Sequence, residues 1–223
     1  AITLREANIT APILILEGIY SEQEVNLCSA HKITIAIHTA SQIDWLTKAR
    51  LEAPVSCWFK IDSGMGRLGF DLVSMSKYLN QLHECPNVEN NIVLFTHLAC
   101  ADELYNESTR EQIEKFESHT KNLGYKRSAA NSAAIIGWPS AYFDWIRPGY
   151  MLYGNSPVLN NTDENLPLEP VMSLESRVIA LRDVPAGSSV GYGATWTANK
   201  PSRIATICIG YGDGYPRSAP NGT

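Results

Sequence analysis

Along residues 12–154, short apolar runs take turns with amphipathic stretches, and this alternation constrains the fold more than any other feature of the chain. Strand-like runs lie at 13–16, 33–37, 55–61, 92–98 and 127–130, with another around 145–153. Helical stretches separate them. Leu72, Met75, Leu79 and Leu82 recur every three or four residues, as do Ile113, Phe116 and Leu123 with one gap. Each set predicts one buried helical face. Ser21 with Glu24, and Ser108 with Glu111, have capping-box spacing, in which side chains satisfy free backbone N–H groups. Residues 1–8 predict a further helix. Repeated strand–helix units imply a parallel sheet, open or closed into a barrel.

The pattern changes after Pro157. Residues 160–167 are polar and read as a linker. Residues 173–211 have no helical period, only short β-branched runs broken at Pro185-Ala186-Gly187-Ser188 and Asn199-Lys200-Pro201-Ser202. The expectation is an α/β unit over 1–160 and the start of an all-β domain over 161–223.

Composition narrows the function classes. A net charge of -5 and no Lys/Arg cluster argue against a nucleic-acid surface. No apolar run approaches the roughly 20 residues of a membrane span, and residues 1–8 do not read as a secretory leader. The five cysteines, Cys28, Cys57, Cys85, Cys100 and Cys208, are odd in number and unpaired in spacing. They read as reduced thiols of a cytoplasmic protein.

The segments with chemical character sit where strands end. From Lys60 the chain runs K-I-D-S-G-M-G-R-L-G, placing Lys60, Asp62, Met65 and Arg67 on a loop after a strand. In barrels of alternating strands and helices that edge carries the chemistry. Gly64, Gly66 and Gly69 also imitate a dinucleotide fingerprint, which needs an acidic residue about 20 residues on, after the next strand. Glu89 has roughly that spacing but precedes the next strand. His97, Cys100 and Asp102 end another strand and could suggest a metal. No second cluster of ligands accompanies them, so no metal is expected. Asn131-Ser132 opens a helix directly after a strand, as either a plain N-cap or a phosphate site. Arg147-Pro148-Gly149-Tyr150 ends the last strand. Arg147 reads as a surface ion pair or as a ligand contact that can only donate. Two G-Y-G turns, around Tyr192 and Tyr211, each present a phenol, and local sequence does not choose between them.

Taken together these segments resemble alanine racemase. The resemblance rests on Leu16-Glu17-Gly18, K-I-D-S-G-M-G-R-L-G from Lys60, T-H-L-A-C-A-D-E from Thr96, A-N-S-A-A from Ala130, R-P-G-Y-M-L-Y-G from Arg147, V-G-Y-G-A-T-W from Val190 and G-Y-G-D-G-Y-P-R from Gly210, in the family's order. It implies a (β/α)8 TIM-type barrel, about six of its eight strands present here, followed by the start of a β domain. It also implies pyridoxal 5'-phosphate, a head-to-tail homodimer, and interconversion of L- and D-alanine supplying D-alanine for the bacterial cell wall. By the same resemblance Tyr211 is the base serving the partner subunit's active site, and His97 is its hydrogen-bonded neighbour. Arg147 faces the pyridine nitrogen. Ser132 and Asn131, with the Gly149 and Tyr150 backbone, cradle the phosphate. Arg67 lies near the cofactor's phenolic oxygen and the substrate, with Met65 close by. Lys60 matches a lysine often carbamylated in the family.

The family's cofactor-binding lysine motif, K-A-N-A-Y-G-H-G, is absent from these residues, and so is the C-terminal part of its β domain. The six strands match the family's third to eighth. The chain is therefore expected to be an internal fragment, inactive by itself. Two rival readings share the cofactor: a racemase for another amino acid such as serine, and a non-catalytic pyridoxal phosphate-binding barrel. The latter lacks a β domain, which residues 173–223 argue against. A nicotinamide dehydrogenase rests only on Gly64 to Gly69.

Overall fold

In the computed structural model the chain is described over residues 1–158 and 167–221. It divides into two compact units, Ala1–Val171 and Met172–Thr223. The expected linker over 160–167 lies almost wholly outside the described residues.

The first unit opens with helix α1 (Ile2–Glu6). Strands and helices then alternate: β1 (Ile13–Ile15), α2 (Glu22–Ala30), β2 (Ile33–Ile37), α3 (Ala40–Lys48), β3 (Cys57–Lys60), α4 (Met75–His83), β4 (Val93–Phe95), α5 (Glu107–Thr120), β5 (Lys126–Asn131), α6 (Ser132–Gly137) and β6 (Trp145–Arg147). The six strands form one parallel sheet in the order β1-β2-β3-β4-β5-β6. Each strand pairs with its sequence neighbour, so the order never reverses. Right-handed crossovers then keep winding in one sense, as in a barrel rather than a doubly wound sheet. Helix α2 touches α3, and α3 touches α4, as side-by-side helices on one face require. This is the α/β-barrel architecture with six strands.

The sheet's two faces differ sharply. Ile33, Ile35 and Ile37 of β2, Cys57 and Phe59 of β3, and Leu94 of β4 alternate along their strands and are buried in the hydrophobic core. Val25 and Cys28 of α2, Ile43 and Leu46 of α3, Leu79 and Leu82 of α4, and Ile113 and Phe116 of α5 join the same core. Each such side chain contributes roughly 1.5–3 kcal/mol through the water it leaves behind. The intervening strand positions carry a different set. Trp58 lies opposite Val93, Lys60 opposite Phe95, Phe95 opposite Ser128, and Ser128 opposite Trp145. Because side chains alternate with period two, these residues share the other face.

Several local expectations need correction. The strands are shorter than the apolar runs, because Val55 and Ile61 form only isolated bridges, to Val88 and Phe70. Ser108 does not cap α5. The cap is Asn106, whose side chain accepts from the Ser108 N–H at 2.9 Å. Leu123 lies past the end of α5 and is exposed. Ser21 precedes α2 without a side-chain cap bond, although Glu24 accepts from the Tyr20 N–H at 2.7 Å. The complete capping box belongs to Thr39 and Gln42.

In the second unit, β7 (Val178–Val184) pairs antiparallel with β10 (Ser202–Ile207), and β8 (Ser189–Val190) with β9 (Trp196–Thr197). No helix longer than a single 3-10 turn forms among its described residues. Among all described residues, no helix is long and apolar enough to cross a membrane. All five cysteines are free, and Cys28, Cys57 and Cys85 are buried. Burial pushes the Cys28 thiol up to about 11 and that of Cys57 higher still, so neither is a reactive thiolate.

The turn after β1 is tightly built. Gly18 has φ +77, and a Cβ there would lie 2.4 Å from Gln42 Nε2 and 2.5 Å from the Ala36 carbonyl oxygen. Gln42 is itself fixed, donating to the Ile19 carbonyl at 3.1 Å and accepting from the His38 N–H at 2.8 Å. Gly18→Ala is therefore expected to destabilise the protein by about 1–3 kcal/mol through overpacking, with further strain from the positive φ. The urea midpoint measures this, and an unchanged midpoint would contradict the packing described.

Candidate active site

The strand register sets the site. Lys60, Phe95 and Ser128 form a row across β3, β4 and β5 on the face away from the helices. Lys60 Nζ lies 5.0 Å from the centre of the Phe95 ring, and the Arg147 guanidinium carbon lies 5.3 Å from the same ring. Two cations thus share one aromatic ring, which attracts each of them while they repel one another. Trp58 meets Phe95 edge-on at 5.6 Å and Trp145 at 5.9 Å, closing this face with aromatic rings.

Arg147 is held entirely by neutral acceptors. Its Nη1 donates to Ser128 Oγ, and its Nη2 donates to the carbonyls of Thr96 and, at 3.2 Å, Ala129. Burial lowers its pKa to about 10. The surface-ion-pair reading is thereby replaced, since no salt bridge among the described residues includes Arg147, Lys60 or Arg67. Lys60 is only 5% exposed. Its pKa falls to about 8, through burial first and then through the charges of Arg147 and Arg67, with Asp62 opposing the shift. His97 falls to about 4, again through burial first and then through Arg147, Lys60 and Arg67. At neutral pH His97 is therefore an uncharged imidazole beside three cations.

Next to Arg147 the chain folds over a small cradle. Asn131 caps α6, accepting from the Ala134 N–H at 3.0 Å and donating to the Leu98 carbonyl at 3.2 Å. Ser132 Oγ accepts from the Gly149 N–H at 2.9 Å and the Met151 N–H at 3.3 Å. With both lone pairs engaged, its hydroxyl hydrogen is left to donate outward. His97, Asn131, Ser132, Arg147, Gly149 and Tyr150 line one open cleft of about 480 Å³, within the size range of cofactor pockets.

The glycine-rich loop does not serve a dinucleotide. It ends well before α4 begins at Met75, and the Gly64, Met65 and Gly66 N–H groups all donate to the Asp62 carboxylate. Those donors are spent within the loop. Met65 is half-buried and Arg67 exposed on it. Among the described residues no three of His, Cys, Asp and Glu converge as a metal site would require.

Tyr211 is in the second unit. It opens a 3-10 turn, Tyr211–Asp213, and is 77% exposed. With Tyr192, Tyr215 and Arg217 it lines an open cleft of that unit. The first unit thus gathers Lys60, His97, Asn131, Ser132, Arg147, Gly149 and Tyr150 around one mouth, while Tyr211 belongs to a separate body.

Three residues escaped sequence reading. Ser128 and the Thr96 carbonyl hold Arg147, and nothing local marks them. Gln112 is 3% exposed and uses its amide twice, accepting from the Ala99 N–H at 2.9 Å and donating to the His97 carbonyl at 3.1 Å. Its signal was present: Thr109, Gln112, Ile113, Phe116 and Thr120 share one helical stripe, so a glutamine on the buried face required a partner.

Comparison with known proteins gives a consistent result. The model of the alanine racemase N-terminal domain matches residues 1–157, and that of the alanine racemase C-terminal domain matches residues 171–223. An alanine racemase from Vibrio vulnificus is 45% identical over all 223 residues, which cover 62% of that relative. The biosynthetic alanine racemase of Pseudomonas aeruginosa superposes with a TM-score of 0.89 at 43% identity, over 99% of this chain and 61% of that one. An alanine racemase from Bartonella henselae with covalently bound pyridoxal phosphate superposes with a TM-score of 0.78 at 30% identity, over 96% of this chain and 60% of that one. The chain therefore spans about three fifths of the length of such relatives.

The His97 shift makes a pH prediction. Between its ordinary value of 6.5 and about 4, the unfolded chain binds a proton that the folded one refuses. Stability should rise with pH across that window, and His97→Gln should flatten the rise. Urea midpoints at several pH values measure this, and parallel curves for both proteins would contradict it.

Proposed function

Since the chain belongs to the alanine racemase family, we propose that the protein interconverts L-alanine and D-alanine with pyridoxal 5'-phosphate. The observation that carries the proposal is Arg147, a half-buried guanidinium whose acceptors among the described residues are all neutral, beside the Ser132 cradle. The residues present fit the cofactor. Three cations without a paired carboxylate among the described residues favour an anionic ligand, and Ser132 keeps a hydroxyl donor for a phosphate oxygen. Ser132, Asn131 and the Tyr150 backbone would hold the phosphate, the Gly149 N–H bracing the Ser132 oxygen beneath it, with Arg147 at the ring nitrogen and His97 alongside.

When bound, the cofactor supplies an electron sink that acidifies the amino acid's Cα–H bond. Arg147 can only donate, so it would leave a ring nitrogen placed opposite it unprotonated, which would weaken the sink and disfavour transamination and related side reactions. Arg67 and Met65 face the substrate. Lys60, easier to deprotonate than an ordinary lysine, adds carbon dioxide through its neutral amine and releases a proton. The resulting carbamate is an anion that pairs with Arg67. Tyr211 moves the α-proton on one face, acting across a head-to-tail homodimer in the partner subunit's site. The opposite face falls to a lysine whose motif these 223 residues do not contain, so they are inactive by themselves. We place the reaction in the cytoplasm, supplying D-alanine to the bacterial cell wall. Residues 1–160 carry the cofactor, and 161–223 begin the β domain.

The test incubates the complete protein with pyridoxal phosphate and L-alanine, and follows D-alanine with a D-amino acid oxidase. D-Alanine should form with the complete protein, and none with the 223-residue chain alone. In Tyr211→Phe, α-proton exchange from one enantiomer should fall by orders of magnitude, and much less from the other. No D-alanine from the complete protein would reject the proposed activity. Equal losses for both enantiomers would make Tyr211 structural.

A further inference from the structure

Asp62 follows β3 directly, and its carboxylate pairs with no basic side chain in any salt bridge among the described residues. It is spent on backbone instead. Oδ1 accepts from the N–H groups of Gly64 at 2.9 Å, Met65 at 2.9 Å and Gly66 at 3.2 Å, and Oδ2 accepts from Gly66 at 2.9 Å. Hydrogen bonds to a charged acceptor are stronger than neutral ones, and here one anion organises three consecutive peptides.

The base of this loop is closed independently. The Asp62 N–H donates to the Phe70 carbonyl at 2.8 Å, and the Phe70 N–H donates to the Lys60 carbonyl at 2.9 Å. Phe70 stacks between Phe59 and Tyr78, each 4.7 Å from its centre. Gly69, at φ +121, lets the returning chain pass, since a Cβ there would lie 2.8 Å from the Asp62 nitrogen. Buried Ser63 hydrogen-bonds buried Thr96 through their hydroxyls at 2.8 Å. Gly64 leaves room for Gln112, whose Cγ would be 3.1 Å from an added Cβ. The loop is thus pinned to the β4 segment that carries His97, whose carbonyl Gln112 holds. Between the closed base and the exposed tip, the Asp62 carboxylate is the only side chain among the described residues that binds the 64–66 backbone.

We propose that Asp62 is a positioning residue, whose carboxylate fixes the 64–66 backbone and so sets where Met65 and Arg67 stand relative to Lys60 and the substrate. This rests on the reading of Arg67 and Met65 as substrate-facing residues. An amide cannot substitute fully. Asn would keep one acceptor but turn a donor toward the Gly66 N–H, where Oδ2 now accepts.

The experiment compares wild type, Asp62→Ala and Asp62→Asn in the complete protein. Hydrogen exchange of the apo form reads the loop directly. In Asp62→Ala the Gly64, Met65 and Gly66 amides should exchange roughly tenfold faster or more, from loss of charge-assisted bonds, while β3 and β4 keep their protection. Asp62→Asn should fall between. In the holoenzyme, KM for alanine should rise more than kcat falls, and the cofactor's absorbance spectrum should stay that of wild type. Unchanged loop exchange in Asp62→Ala overturns the inference. So does faster exchange spread over β3 and β4, which would make Asp62 a general stabiliser, and so does a faster-exchanging loop with unaltered KM. A wild type without racemase activity would remove the proposed function alone, and the exchange data would still decide whether Asp62 holds the loop.

Discussion

Lys60, Arg67 and Arg147 place three positive charges at one mouth of the sheet, and no carboxylate among the described residues is paired with any of them. Such an arrangement costs stability, because burial and mutual repulsion both oppose the charged forms. It persists because the surrounding structure holds each part from elsewhere. Ser128 and two backbone carbonyls orient Arg147. Phe95 lies within cation–π distance of both Lys60 and Arg147. The Asp62 carboxylate, whose charge opposes the Lys60 shift, is committed to the loop backbone. The proposed pyridoxal phosphate, and a carbamate on Lys60, would each bring negative charge to this site. The neutral state of His97 follows from burial first and then from the same three positive charges.

This electrostatic arrangement depends on strand register. Lys60, Phe95 and Ser128 meet because β3, β4 and β5 align them as direct partners. A slip of one residue in β4 would exchange Phe95 for Leu94 or Thr96 on that face. The register is held in turn by the opposite face, where Phe59 and Leu94 are wholly buried under the helices. Hydrophobic burial on one side of the sheet therefore sets the charge geometry on the other.

Much of this was legible in the sequence. The strand–helix alternation gave the six strands in their order, and the segments after them marked Lys60, His97, Asn131, Ser132 and Arg147 as candidates. Boundaries were less legible, because apolar runs continue past the ladder: Val55 and Ile61 are as buried as strand residues but only bridge. The α5 cap was misread at Ser108 because two polar residues two apart each suit a cap, and only the backbone chooses Asn106. Ser128 was invisible because its role comes from a partner 19 residues away in sequence, reached only across the β5–β6 pairing. The imitation of a dinucleotide loop failed for a local reason, since Asp62 takes up the N–H groups that a phosphate would need. Tyr211 was marked by the family resemblance alone, because the two G-Y-G turns are locally alike, and Tyr192 lines the same cleft of the second unit.

The central claim is that Lys60 is an electrostatically crowded cation. The direct measurement is its titration, followed by NMR of isotope-labelled lysine in the complete apo protein in carbon dioxide-free buffer, with Lys60→Arg to assign the signal. The account predicts a midpoint near 8, and a higher one when Arg147→Met removes a neighbouring charge. A midpoint at the ordinary 10.5, unmoved by Arg147→Met, would contradict it.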